Sequence, residues 1–222
     1  MVVMQRAGEL PEISPAPGKL EIVRQFVNTL DIERGTDELD SPGALLGWLN
    51  ESGLGGPGQD GHAAPPVTEA DLKLAVALRE ALRGVLSSHV TPGSGPDGTA
   101  QPGGTGSPDR AAGPAGAAAA AAELRKVAAP LRIRFEVSDQ GQVAAAADCS
   151  GATADLTRIL LIAGEAATTG TWGRLKVCSA GDCQWAFYDR SPTRTGCWCS
   201  MRVCGSRAKS RAYRRRTAGR TG

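Results

Sequence analysis

Four cysteines near the C-terminal end, Cys178, Cys183, Cys199 and Cys204, are spaced C-x4-C-x15-C-x4-C. Nothing else in the chain restricts its fold as tightly. Two close thiol pairs separated by a hairpin-sized insert suit one tetrahedral zinc ion, because each pair supplies adjacent corners and the fold need only bring the pairs together. Four thiolates leave no open coordination position, so the metal is expected to be structural. The insert, "QWAFYDRSPTRTGCW" at 184–198, alternates Trp185 and Phe187, turns at Ser-Pro and Gly, and returns to Trp198, which predicts a β-hairpin. A thiol-redox role would favour a C-x2-C pair opening a helix, and that pair is absent. Cys197 in "CWC" is an alternative ligand, but Cys199 keeps the symmetric spacing and is preferred. Cys149 reads as a small, buried or half-buried apolar residue.

Past Ser200 the sequence turns helical. Met201, Gly205, Ala208 and Ala212 form a narrow stripe of small or apolar residues that lets a helix pack on the hairpin. Knuckle, hairpin and helix in that order describe a treble clef whose small core needs metal to stand. Beside the stripe a helical wheel groups Arg207, Arg211, Arg214 and Arg215, with Arg202, Lys209 and Arg216 on its other flank. Of 25 Lys+Arg and 23 Asp+Glu in 222 residues, 12 and 2 fall from Thr171 onward, so this tail carries about +10 and the remainder about −8. No acidic side chain is evident near the arginines in sequence, and a phosphate backbone is the economical partner for such a helix. Six of nine aromatic residues also fall in this tail.

The upstream part reads as an α+β unit. "KLEIVRQFVNTLDI" predicts a helix over 19–31 with Leu20, Val23, Phe26, Val27 and Leu30 on its buried face. Ser41-Pro42 reads as an N-cap with proline in the first turn, followed by buried Leu45, Leu46, Trp48 and Leu49 and a stop at Gly53. Thr68 caps a helix carrying Leu72, Ala75, Val76, Leu78 or Arg79, Leu82 and Leu86. The Gly/Pro/Ser/Thr-rich run 91–116 predicts a disordered insertion. Next come an alanine-rich helix at 117–128, a half-buried strand at "LRIRFEV", a returning strand at "VAAAAD", and a helix that ends near Gly170. The expected arrangement is several helices covering one face of a small sheet. No catalytic residue emerges: His62 and His89 lie in or beside loops, with no paired carboxylate or nucleophile, and both are expected to be solvated. The N-terminus lacks a secretory signal, and no run approaches the roughly 20 apolar residues that span a bilayer, so a soluble cytoplasmic protein is expected.

The stretch "RLKVCSAGDCQWAFYDRSPTRTGCWCSMRVCGSRAKSRAYRRR" resembles the CGNR zinc finger. "FVNTL", "SPGALLGWLNESGL" and "ALREALRGVL" are similar to the ABATE domain that precedes it in that family. The resemblance implies an N-terminal ABATE-like α+β domain at 1–170 and a treble-clef finger with a basic helix at 171–222. It gives Cys178, Cys183, Cys199 and Cys204 the zinc-ligand roles, and it implies transcription regulation under stress. Gly205 and Arg207 match the name-giving tetrapeptide, whereas Ser206 stands where the family has Asn. Serine is shorter and still able to bond backbone locally. The function expected from all this is a DNA-binding regulator of the bacterial cytoplasm and nucleoid, with Arg202, Arg207, Lys209, Arg211, Arg214, Arg215 and Arg216 on the nucleic acid. The N-terminal domain would sense a small-molecule or protein effector, or form a homodimer. An RNA-binding module using Trp185, Tyr188 or Tyr213 for stacking, or a zinc-stapled protein-interaction adaptor, are the alternatives.

Overall fold

The computed structural model describes residues 14–55, 65–90 and 114–218, without the side chains of Arg215, Arg216 and Ala218. The leader, His62 and most of the insertion, 91–113, lie outside the described residues. Helix α1 (Leu20–Val27) buries Leu20, Val23, Phe26 and Val27, the apolar stripe read from the sequence. It stops four residues earlier than the stripe suggests, because Asn28 and Thr29 turn inward to polar partners. The Thr29 hydroxyl donates to Phe26 O (2.8 Å), and the Asn28 amide reaches across to a strand described below. Leu30 then enters a two-residue ladder, β1 (Leu30–Asp31) with β2 (Thr36–Asp37), closed through Gly35 in the left-handed region (φ +67°).

In α2 (Pro42–Glu51) the Ser41 side chain accepts from Ala44 N, with Pro42 in the first turn. Leu45 and Leu49 are buried, whereas Leu46 faces solvent, against expectation. Residues 45 and 49 share a face one turn apart, and Leu46 lies roughly 100° round from it. Helix α3 (Glu69–Ser88) opens with a capping box between Thr68 and Asp71. Its buried face carries Ala75, Leu78, Leu82 and Leu86 together with two arginines, Arg79 and Arg83.

Helix α4 (Pro114–Ala128) starts inside the stretch read as insertion, because Pro114 suits a first helical position. It lies along α3, with Ala120 beside Gly84 at a spacing that a Cβ at 84 would fill with ordinary contact, 3.5 Å. β3 (Ile133–Val137) and β4 (Val143–Ala147) pair in register from Ile133↔Ala147 to Val137↔Val143. The strand expected to be half-buried is not. Ile133, Phe135 and Val137 are 50%, 76% and 68% exposed, and Val143 opposite them is 66% exposed. Only Ala147, at the root of this arm against α5 (Gly151–Thr168), is buried. Alternation fixes which side chains share a face, but not whether anything covers it.

After α5 come β5 (Leu175–Val177) and β6 (Ala186–Tyr188), antiparallel from Leu175↔Tyr188 to Val177↔Ala186. A turn of π-helix, Met201–Gly205, leads into α6 (Ser206–Ala218). The mixture is α+β, with its strands in three separate two-stranded pairs among the described residues. One apolar core gathers Leu20, Val23 and Phe26, the buried leucines of α2 and α3, Leu156 and Ile159 of α5, and Leu175, Val177 and Ala186 of β5 and β6. The last strand pair is therefore built into the same core as the helices.

Candidate metal centre and basic groove

The residues between β5 and β6 form the first thiol knuckle. Cys178 N donates to Trp185 O (2.9 Å), and Cys183 N and Gln184 N both donate to Ala180 O at 3.0 Å. Gln184 takes φ +51° to complete the turn. The knuckle is thus the loop of a hairpin that starts at Leu175. The hairpin expected within 184–198 is absent, since past Tyr188 the chain follows side-chain anchors instead of a returning strand. Ser179 N donates to Cys197 O (2.9 Å), which brings the second thiol segment alongside the first. Ser200 then opens the π-turn: its hydroxyl accepts from Val203 N and its carbonyl accepts from Gly205 N. At Gly205 an added Cβ would meet Met201 Sδ at 2.9 Å and Trp198 Cδ1 at 3.4 Å, so a side chain there would displace the exposed end of Met201.

Cys178, Cys183, Cys199 and Cys204 converge with all four Sγ atoms within 4.8 Å of one another. Cys183–Cys199 and Cys199–Cys204 are each 3.6 Å apart. Four sulfurs at about 2.3 Å from a tetrahedral zinc stand about 3.8 Å apart, so the donor set fits one structural Zn2+ in number, chemistry and spacing. Thiols this close perturb one another strongly. Hydrogen bonds to Cys183, Cys199 and Cys204 push Cys178 up, whereas those from Cys178, Cys183 and Cys199 hold Cys204 down. A divalent cation removes this conflict by stabilising all four thiolates. The structure places Cys197 outside the cluster as a separate buried thiol, and half-buried Cys149 lies 3.4 Å from the Thr157 hydroxyl.

Two polar networks whose partners the sequence did not reveal hold this segment. Lys176 is buried and donates to Asp189 Oδ2 (2.8 Å), Arg194 O (2.5 Å) and Gly196 O (3.1 Å). Asp189 also accepts from Ser191 N and Gly196 N. Burial pushes the Asp189 carboxyl up, but the Lys176 ammonium and the Ser191 amide outweigh it and hold the group down at about 2. A carboxyl depressed in the folded state stabilises fully above its unfolded value of about 4 and loses that contribution as pH falls toward 2. Urea unfolding of the zinc-loaded chain should therefore show Asp189→Asn about 2 kcal/mol less stable than wild type at about pH 7, where the carboxylate contribution is full and the thiolates keep their metal. An Asp189→Asn chain as stable as wild type would refute the role given to the charge.

The second network joins the knuckle to the helices. The Asn28 amide donates to Ala186 O (2.9 Å) and accepts from Ala186 N (2.7 Å), standing in for a neighbouring strand on β6. Arg83, 1% exposed, donates to Val27 O (2.5 Å), Gln184 O (2.9 Å) and Glu80 (3.1 Å). Arg79, 2% exposed, grips Asp37 with both terminal nitrogens, at 2.6 and 2.8 Å. His89 is not solvated as expected. Its Nδ1 is 2.8 Å from Leu175 O, its ring meets Trp172 edge-on, and burial holds its pKa below the ordinary value.

Along α6 and the preceding π-turn an open groove of about 400 Å³ is lined by Arg202, Val203, Ser206, Arg207, Ser210, Arg211 and Arg214. Arg202 joins the other arginines instead of flanking them, because the π-turn adds a residue and rotates it onto their face. The same shift leaves Met201 exposed, while Gly205 and Ala208 pack inward. Lys209 and Tyr213 border the groove with Ser210 and Arg214. The arginines do have acidic neighbours: Arg207 pairs with Glu33 (2.6 Å) and Arg211 with Asp182 (3.3 Å). Both partners are remote in sequence, which hid them. The Ser206 hydroxyl donates to Met201 O (3.2 Å) and so serves the helix start locally. Of the three aromatics considered for stacking, Tyr213 is exposed, whereas Trp185 and Tyr188 are half-buried.

The family model ABATE, described as "Putative stress-induced transcription regulator", matches residues 21–171. The CGNR zinc finger model matches residues 174–217. A comparison with curated proteins finds no match. No helix among the described residues is long and apolar enough to cross a membrane.

Proposed function

Since the chain belongs to the ABATE family and carries a CGNR zinc finger, we propose that it is a non-enzymatic, DNA-binding transcription regulator. The observation that carries this reading is the groove in which Arg202, Arg207, Arg211 and Arg214 line one side of a helix rooted beside the four thiols. Guanidinium groups along a helix face complement the charge of a phosphate backbone, and each contact releases condensed counterions. Lys209 borders the same face, and Arg215 and Arg216 extend the basic run in sequence. In this reading residues 171–222 are a treble-clef reader with structural zinc, and residues 1–170 sense a signal or dimerise. The site of action is the bacterial cytoplasm and nucleoid. Ser206 lies in the groove lining but is committed to Met201 O, so base selection falls to its neighbours.

A salt titration tests the reading. Replacing Arg207, Arg211 and Arg214 together by alanine should lower the slope of log K against log salt by about 2–3 on duplex DNA, since each lost phosphate contact removes about 0.9. Unchanged affinity and slope would take these residues off the nucleic acid. Tyr213, 64% exposed at the groove edge, gives the RNA reading its one support. Preference for single-stranded RNA over duplex DNA in competition, lost in Tyr213→Ala, would favour it.

A further inference from the structure

We propose that β3 is a self-association edge: two copies of the chain pair their β3 strands antiparallel across a two-fold axis at Phe135, joining two hairpin arms into one four-stranded sheet. The proposal rests on the dimerising role given above to the N-terminal unit. None of its readouts involves nucleic acid, so its failure and that of the DNA reading are told apart.

The arm is built as half of something larger. A two-stranded hairpin on its own is marginal in water, and three or more strands are usual. This one leaves Ile133, Phe135, Val137 and Val143 largely exposed. Among the described residues β3 pairs only with β4, in continuous register without a bulge. Its sequence, Ile-Arg-Phe-Glu-Val, carries no proline or lysine to guard the open edge, and its two charges, Arg134 and Glu136, are of opposite sign and so repel only a partner that does not match them.

The backbone is set for this pairing. Arg132 O accepts from Asp148 N and Ser138 N donates to Gln142 O, so the even-numbered residues direct their main-chain groups toward β4. By alternation, the N–H and C=O groups of Ile133, Phe135 and Val137 face the open edge. A two-fold axis at Phe135 makes Phe135 a hydrogen-bonded pair with its own copy and sets Ile133 opposite Val137.

Charge then selects the occupant and the register. In that alignment Arg134 stands opposite the second copy's Glu136, and Glu136 opposite its Arg134, at the closer non-hydrogen-bonded positions. Arg134 already approaches Glu136 to 2.5 Å and Asp148 to 3.4 Å within one arm, so the assembly brings the Arg134 and Glu136 charges of both copies into alternation beside the two Asp148 carboxylates. Moving the axis one residue either way sets Arg134 against Arg134 or Glu136 against Glu136. The five-residue strand is complementary to itself and to its own reversal, which points to a second copy of this chain.

Sedimentation of the full-length, zinc-loaded protein is expected to give a concentration-dependent species of twice the chain mass. Arg134→Glu alone and Glu136→Arg alone should each weaken it by about tenfold, since both cross-strand pairs become repulsive. Mixing the two variants should restore association as a heterodimer, because each glutamate then meets an arginine. Oxidative cross-linking fixes the register. Phe135→Cys should give a disulfide-linked dimer, its Cα atoms being about 5.5 Å apart across the axis, whereas Ile133→Cys, about 14 Å from its own copy, should not. The unsubstituted chain, with its own six cysteines, is the control, and circular dichroism and zinc content show whether each variant folds. A wild-type chain monomeric at every concentration, a dimer indifferent to the charge variants, or equal cross-linking at 133 and 135 would each overturn the proposal.

Discussion

Removing one zinc ligand, by Cys178→Ser or Cys204→Ser, is expected to abolish stoichiometric metal and to unfold α6 together with part of the main core. Serine cannot supply a thiolate at neutral pH, so the ion is left with three anionic donors in a site sized for four. Structural zinc in isolated finger peptides binds with about 10–16 kcal/mol, and disturbing even an outer-shell partner costs about 10–100-fold in affinity, so losing a ligand should cost more than that. The damage should spread because the knuckle is the loop between β5 and β6, whose Leu175, Val177 and Ala186 lie in the core shared with α1, α3 and α5. Cys197→Ser and Cys149→Ser lie outside the cluster and should keep one zinc per chain. Metal analysis and far-ultraviolet circular dichroism of reduced protein check both halves. A zinc-free Cys178→Ser chain with an intact thermal transition would separate the metal from the core.

Arg83→Met should destabilise the whole chain by about 3 kcal/mol, lowering its melting temperature by about 10 °C. Methionine keeps the apolar stem but leaves Val27 O and Gln184 O without the donor that now serves them. Each orphaned buried acceptor costs about 1–3 kcal/mol. Glu80 meanwhile loses one of two guanidinium partners. Arg83→Lys should recover little, because an ammonium group cannot present the planar fork that reaches two carbonyls and a carboxylate at once. Urea midpoints of the three proteins measure this directly, and a lysine variant as stable as wild type would refute the role given to the fork.

What the sequence made legible was local chemistry. Ser41-Pro42 and Thr68 cap the helices they were read to cap, and the C-x4-C pairs meet in space with Cys199, not Cys197, as the third thiol. Those features depend on residues a few positions apart. Arg79 and Arg83 sit within the apolar stripe of α3, and two arginines on a buried face were the one available sign of a polar network. Their partners Asp37, Val27 and Gln184 lie far away in the chain, so the network could not be assembled from spacing. The π-turn after Ser200 was hidden for another reason. Its extra residue shows only in the Gly205 N to Ser200 O bond, which spacing does not reveal and which shifts the phase of every arginine behind it. The exposed arm of β3 and β4 shows the same limit, since strict alternation there describes a surface and not a core.

The pairing of Arg207 with Glu33 and of Arg211 with Asp182 has a kinetic consequence under the DNA reading. Two guanidinium groups must exchange a carboxylate for a phosphate on every encounter, so an arbitrary duplex gains less from them than from arginines facing water alone. Glu33 sits on the β1–β2 turn, so under that reading a carboxylate outside the finger would loosen the reader's grip on random sequence. Short dwell on the wrong site shortens the search for the right one.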